Sequence, residues 1–409
     1  MCIRRYYFAI VQFKRCRKRI QFLLQSIYQK LFGGVEMKSF VVLLILSLGM
    51  TAHAMDSIFI DPKDHYLDAS EWLLKHRGFL PVPIIITEPA VGYGGGVALV
   101  FMSENEDSKT DTTRFIAPTV TGVLGAATEN GTRAAGAFYV RNWDHDRWRY
   151  MGFVADVSAN LDFYGLSGFT SSKDIHFAYN IKGWGVFNDL RTRIADSNFF
   201  FGGRYIYTDI NVNFDDGILP PTLRPDEIQN RNGGLSFLLS YDSRTNPLSP
   251  QAGFLGEYRY YIFREGLGGD LNYNVQELDM QGFIPVSDIW AFAARLQNKW
   301  VDGETPFYAK PFINLRGIAK LRYQGEVASS FEAEVRYNAH PRWQLSLFGG
   351  VGRAGDSFKE LEEAETASAY GVGFRYLIAR LLGFQMGLDI ARGPEETVFY
   401  IQAGNAWIM

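Results

Sequence analysis

From about residue 82 to the C-terminus, apolar and polar residues alternate with a period of two, and turn signals separate the runs. In Phe331-Glu332-Ala333-Glu334-Val335-Arg336-Tyr337-Asn338 the odd positions are Phe, Ala, Val and Tyr, and the even ones Glu, Glu, Arg and Asn. Tyr370, Val372, Phe374, Tyr376 and Ile378 alternate with Gly371, Gly373, Arg375, Leu377 and Ala379, and the stretches 384–391, 254–262 and 152–161 alternate in the same way. Successive strand side chains point to opposite faces, so each run reads as a strand with two unlike faces. Sixteen runs are predicted, starting near 82, 91, 113, 132, 147, 175, 198, 233, 253, 271, 289, 330, 342, 369, 383 and 396. An even count closes an antiparallel sheet and leaves no exposed edge.

A soluble sandwich alternates too, but a membrane barrel turns its apolar face to lipid, its polar face to the lumen and its aromatics to the strand ends. Trp148, Tyr150, Trp290, Trp343 and Trp407 lie near turns and read as girdle residues. The turns Asn142–His145, Pro285–Asp288 and Asn338–Pro341 are short, as periplasmic turns are, whereas 212–232, 302–329 and 355–368 are long and polar, as external loops are. The acidic stretch 103–112 breaks this alternation. Ahead of the first strand, Leu67 to Arg77 fits one short helix capped by Asp68 or Ser70, either plugging the lumen or forming a periplasmic stub.

Composition narrows the class. Of 409 residues, 47% are hydrophobic, with 32 Phe, 22 Tyr and 41 Gly, which excludes disorder. A single long apolar run, near the N-terminus, excludes a polytopic helical membrane protein. That run belongs to an export leader over 37–54. Met37-Lys38 opens a basic n-region, Phe40 to Leu48 is the apolar h-region, and Ala52-His53-Ala54 places small residues before a cleavage at Met55. Residues 1–36 carry eight Lys and Arg against Glu36 alone, and the reading taken here is a true translation start at Met37. The domain plan is then a basic extension over 1–36, the leader, a short segment over 55–80 and a barrel over 81–409. Without residues 1–54 the chain is more strongly acidic, a poor match for nucleic acid. Cys2 and Cys16 leave with the leader, so neither a disulfide framework nor a thiolate metal site is expected.

Little else suggests chemistry. His65, His76, His145, His176 and His340 form no metal-ligand spacing on a strand face. Gly92-Tyr93-Gly94-Gly95-Gly96 lacks the Gly-Lys-Ser/Thr ending of a phosphate loop and reads as close strand packing. Lys359 to Glu365 is an acidic loop, read as solvated. No catalytic constellation stands out, and the expectation is a protein that is not an enzyme and has no cofactor and no metal.

Three motifs go beyond a generic barrel. One is the turn Tyr241-Asp242-Ser243-Arg244-Thr245-Asn246-Pro247-Leu248-Ser249-Pro250-Gln251-Ala252-Gly253. The second is Asn314-Leu315-Arg316-Gly317-Ile318 in the longest loop, followed by Arg322-Tyr323 and by Glu334-Val335-Arg336-Tyr337. The third is Gly371-Val372-Gly373-Phe374-Arg375-Tyr376 with Leu388-Asp389-Ile390-Ala391. Together they resemble the barrel domain of the BamA/TamA outer-membrane assembly superfamily, the bacterial surface antigen family, over about 80–409 and most specifically over 241–409.

The resemblance implies an all-β fold, a single 16-stranded antiparallel transmembrane β-barrel with a short N-terminal helix and a long loop folded into the lumen. Arg316, with Gly317, would anchor that loop. By strand parity Glu332, Glu334 and Asp389 face the lumen together with Arg336 and Arg375, and a buried guanidinium needs such carboxylates. Asp242, Arg244, Pro250 and Gly253 would shape a periplasmic turn. The sequence departs from the family at Gly350, which stands where an Asp is usual, and no periplasmic POTRA domain fits between 55 and 80. A barrel-only branch is therefore expected in the outer membrane of a Gram-negative cell, in contact with its lipids and with a periplasmic or outer-membrane partner protein. Its expected role is non-enzymatic assembly or translocation of protein or lipid; the alternative is a passive porin-like channel.

Overall fold

The computed structural model describes residues 57–407, apart from 76–77, 104, 106, 108–115, 164–176, 215–222 and 225–226. The basic extension and the leader lie outside the described residues, as do His76 and His176. The strands are β1 (Leu80–Ile86), β2 (Gly94–Ser103), β3 (Thr119–Thr128), β4 (Arg133–Trp143), β5 (Trp148–Phe163), β6 (Phe177–Arg193), β7 (Phe199–Phe214) and β8 (Gln229–Asp242). They continue as β9 (Gly253–Phe263), β10 (Tyr273–Pro285), β11 (Trp290–Gly303), β12 (Val327–His340), β13 (Trp343–Gly355), β14 (Ala367–Ala379), β15 (Phe384–Arg392) and β16 (Thr397–Ala403). Each pairs antiparallel with its sequence neighbours in one 16-stranded sheet, so the barrel is an unbroken meander. Among the described residues no ladder joins β1 to β16, and this seam is the one interruption of the wall.

Alternation produces the lipid face where the sequence predicts it. Leu345 and Leu347 on β13, Tyr370 and Val372 on β14 and Met386 and Leu388 on β15 are exposed outward, while Gln344, Arg375 and Asp389, from the other parity of the same strands, are buried inward. Trp290 and Trp343 lie exposed at strand ends, and Trp143 stacks on Trp148 beside the β4–β5 turn. All of these suit an interfacial belt.

Three expectations are corrected. Trp407 is not a girdle residue and does not belong to the last strand, because β16 ends at Ala403. Gly404 takes φ +80° with its amide on Gln385 O, and the Asn405 amide donates to Leu248 O, so the chain turns inward and buries Trp407. The spans of roughly 10 residues expected from the spacing of the runs are exceeded by β5, β6 and β7, which run 16 or 17 residues. Finally, β5 does not put its apolar set outside. Arg149 reaches inward to Asp242, which fixes Phe153, Ala155, Val157 and Leu161 on the lumen side, while Val154 is exposed outward together with Asp156.

The N-terminal segment packs on the short-turn end. Helix α1 (Ser70–Lys75) is only six residues long, and the Ser70 amide bonds Asp68 Oδ1 at 2.6 Å. The Leu381 amide donates to Ser70 Oγ and the Tyr376 hydroxyl donates to Leu67 O, so the segment lies against the β14–β15 turn. A second short helix, α2 (Phe358–Glu363), occupies the predicted acidic loop and is capped by Ser357.

Candidate functional site

The loop between β11 and β12 folds back into the barrel as a hairpin-like tongue. An isolated bridge pairs Phe312 with Gln324, and the Ile313 amide donates to Tyr323 O at 3.0 Å. Ile313, Leu315, Ile318 and Tyr323 are buried against Ala328, Ala354, Ala367 and Ala369 on the inner faces of β12–β14. The wall is small because the tongue needs the space. A Cβ on Gly350 would sit 2.8 Å from Leu315 Cδ2.

This explains the missing Asp. Glu332 is the direct cross-strand partner of Gly350, and it supplies the carboxylate from the neighbouring strand. Arg316 Nε and Nη2 donate to Glu332 Oε1 at 2.9 and 2.6 Å, Nη2 donates to Glu334 Oε2 at 2.7 Å, and Nη1 donates to Asp389 Oδ2 at 2.8 Å. The guanidinium carbon lies 3.5 Å from the ring centre of Phe348, a close cation–π contact. Arg375 forks onto Asp389 at 2.6 and 2.9 Å, and Arg336 Nε donates to Glu334 at 2.8 Å. Trp407 Nε1 donates to Glu332 at 2.7 Å. Three guanidinium groups thus meet three carboxylates in a buried cluster without net charge, the condition under which buried ions are tolerated. Gly317, at φ +96°, follows directly, and its amide donates to Tyr400 Oη on β16 at 3.0 Å.

The predicted turn is coupled to this cluster. Asp242 accepts from Arg244 Nε at 2.9 Å and from Arg149 Nη1 on β5 at 2.9 Å. The Pro250 carbonyl accepts from Arg336 Nη1 at 2.9 Å. Asn246 reaches Leu382 O, and Ser249 Oγ accepts from the Gln385 amide, so the turn lies across the end of the lumen. Gly253 at φ +104° makes this possible, since a Cβ there would stand 2.2 Å from Ser243 O. Gly253→Ala is therefore expected to cost about 1–3 kcal/mol, seen as a lower temperature for the heat-induced gel shift of the folded barrel.

One cluster was not foreseen. Arg342, in the β12–β13 turn, is among the most buried side chains of the protein. Its guanidinium donates at 2.6 Å to each of Asp61, Asp64 and Asp68, and Arg380 also pairs with Asp61. The spacing 61-64-68 was visible in the sequence, but its cation lies more than 270 positions away. The hydrogen bond from Arg380 holds the Asp61 carboxyl at about 2, and the bond from Arg342 lowers Asp64. Burial pushes Asp68 up, but hydrogen bonds from Ser70, Arg380 and Arg342 outweigh it and leave it lowered. Carboxylates depressed below their unfolded value near 3.9 add stability that is complete above about pH 4 and is lost as pH falls toward about 2. Amide-exchange protection of residues 57–75 is expected to hold from pH 7 to 5 and to collapse between about pH 4 and 2. Collapse already at pH 6 would contradict the assignment.

A transmembrane antiparallel barrel with a tongue anchored in its lumen is the class that fold and site define. Residues 122–318 match the Omp85 superfamily domain. No curated protein sequence matches the chain. The fold is similar to that of BamA from Haemophilus ducreyi lacking POTRA domains 1-3, at 14% identity and TM-score 0.55 over 80% of this chain and 70% of that one. It is also similar to CdiB from Acinetobacter baumannii, at 11% identity and TM-score 0.53, covering 79% of this chain and 59% of that one. CdiB from Escherichia coli gives 9% identity and TM-score 0.55, with 78% and 61% covered. The chain thus spans about three fifths of either CdiB structure. The match over residues 122–318 and the shared fold make the chain similar to Omp85 barrels of the BamA type.

Proposed function

We propose that this barrel is a non-enzymatic device that assembles or translocates protein or lipid at the outer membrane, working through the seam between β1 and β16. One observation carries the reading: the tongue bridges an interruption in the wall. Its Gly317 amide bonds Tyr400 on β16, and its Lys320 amide bonds Glu88 in the β1–β2 loop at 3.1 Å. On this reading residues 37–54 direct export, the end bearing the short turns faces the periplasm, and a partner protein acts with the barrel on that side. A tongue packed on the inner wall disfavours the passive channel.

The test uses the full chain, with Cys2 and Cys16 replaced by Ser, in liposomes. Two processes are followed: transbilayer movement of a fluorescent phospholipid, and folding of an unfolded outer-membrane barrel added outside. Tyr93 stacks on Phe399 of β16 with ring centres 5.4 Å apart. A Tyr93→Cys/Phe399→Cys variant bridged by a short bis-maleimide therefore clamps the seam. At least one process is expected to accelerate and to fall back when the clamp is closed. Acceleration of neither, together with a large steady conductance, would return the protein to the passive-channel reading.

A further inference from the structure

We infer that the seam admits the acyl chains of a glycerophospholipid, and that these chains lie against an apolar lumen wall on β1–β5. This deepens the proposed function and rests on it, by naming the substrate class.

The edge of β1 is the first ground. Pro81 and Pro83 sit within β1, yet its register to β2 runs unbroken from Leu80↔Val100 to Ile86↔Gly94. A proline donates no hydrogen bond, so the ladder must run through Leu80, Val82, Ile84 and Ile86, and the proline nitrogens face the seam. Ile85 is then the one central residue of that edge with an N–H to offer. An incoming strand would find about half the usual ladder, and prolines on an edge are a known guard against strand addition. An acyl chain needs no hydrogen bonds, so the same edge does not hinder it.

The lumen wall is the second ground. In an aqueous barrel the inner face is polar. Here the lipid-facing parity is set by exposed Val97, Leu99 and Phe101 on β2 and Val123 on β3. The opposite parity of β1–β4 carries no charged residue, and on β5 only Arg149, at the turn end, is charged. Leu124, Phe138, Val140, Phe153 and Val157 stand on this wall half-buried. The inner faces of β9–β15 differ sharply, with Glu257, Arg259, Asp279, Arg295, Glu332 and Arg375 all buried. Among the described residues the tongue packs on that charged side, against β12–β14, while Phe307 and Tyr308 at the start of the same loop pack beside Leu161, Tyr179 and Phe214 at the loop ends of β5–β7. An apolar strip that borders the seam on the inside and the lipid belt on the outside gives an acyl chain a continuous apolar path, so that it need not be transferred into water.

The test reconstitutes the full chain in vesicles holding phosphatidylethanolamine with a diazirine in its acyl chain, and maps the photo-adducts by mass spectrometry. Adducts are expected on the inward Leu124, Val140 and Phe153 as well as on the outward Val123 and Val154. Lipid movement is expected to accelerate at least tenfold over protein-free vesicles, with barrel-client folding unchanged. Val140→Glu, or the milder Leu124→Gln should the first fail to fold, is expected to lose the inward adducts and most of that acceleration. Pro81→Val/Pro83→Val is expected to gain client folding. Adducts confined to the outward face, or wild-type client folding matching the double variant, would overturn the inference while leaving a seam device in place. Acceleration of neither lipid nor client would instead remove the proposed function itself.

Discussion

Replacing Arg316 with alanine is expected to free the tongue and to weaken the barrel together. Glu332, Glu334 and Asp389 are all buried, and Asp389 is fully so. Arg316 satisfies each of them. Arg375 and Arg336 would still bond Asp389 and Glu334, but Glu332 would keep only the indole N–H of Trp407 and the main-chain amide of residue 316, with no cation beside it. Removing one member of a buried ion network costs about 3–5 kcal/mol, because the remaining charge stays desolvated. The heat-induced gel shift should move down by several degrees. Lys320 and Arg322, on the tongue itself, should become trypsin sites in the folded barrel. Arg316→Lys should recover only part of the loss, because an ammonium cannot fork to three carboxylates. Unchanged trypsin resistance in the alanine variant would show that the apolar contacts of Ile313, Leu315 and Ile318 hold the tongue without the arginine.

Arg342→Ala is the second large effect, and it is confined to another part of the molecule. Arg342 ties Asp61, Asp64 and Asp68 to the β12–β13 turn, and Arg380 shares only Asp61 and the backbone contact to Asp68. Without it, residues 57–75 should lose amide protection about a hundredfold or more, the size that follows when a buried network worth about 3 kcal/mol loses its central cation. Strand amides of β12–β14 and the gel-shift temperature should stay close to wild type, because the sheet ladders do not involve this segment. If the strands lost protection as well, the segment would be part of the barrel's cooperative unit and not a strap on its end.

The sequence makes local features legible and long-range ones much less so. Period-two alternation locates β9 and β15 almost to the residue and β12 and β14 to within a few, and the turn Tyr241 to Gly253 is readable because its Asp and Gly serve backbone needs that are local. Arg316, Glu334, Asp389, Arg336 and Arg375 lie together in the structure, on strands whose parity is readable from alternation. Glu332 is a larger partner than the reading gave it, because its role depends on facing Gly350 across a register that only pairing defines. Arg342 goes unmarked in the sequence, since nothing near it signals a cation destined for three distant aspartates. Trp407 looked like a girdle residue because an aromatic at a chain end is usually interfacial, and a glycine with positive φ at 404 sends it inward instead. On β5 the rule of an apolar exterior fails because alternation shows two faces without showing which is outside. That choice is made across the barrel, by Arg149 reaching Asp242.

The most direct measurement is the single-channel conductance of the full chain in planar bilayers, with and without Arg316→Ala. A low, flickering conductance in the wild type that becomes larger and steadier in the variant is expected of a lumen closed by an arginine-held tongue. A large, steady conductance indifferent to the substitution would contradict it and would leave an open pore.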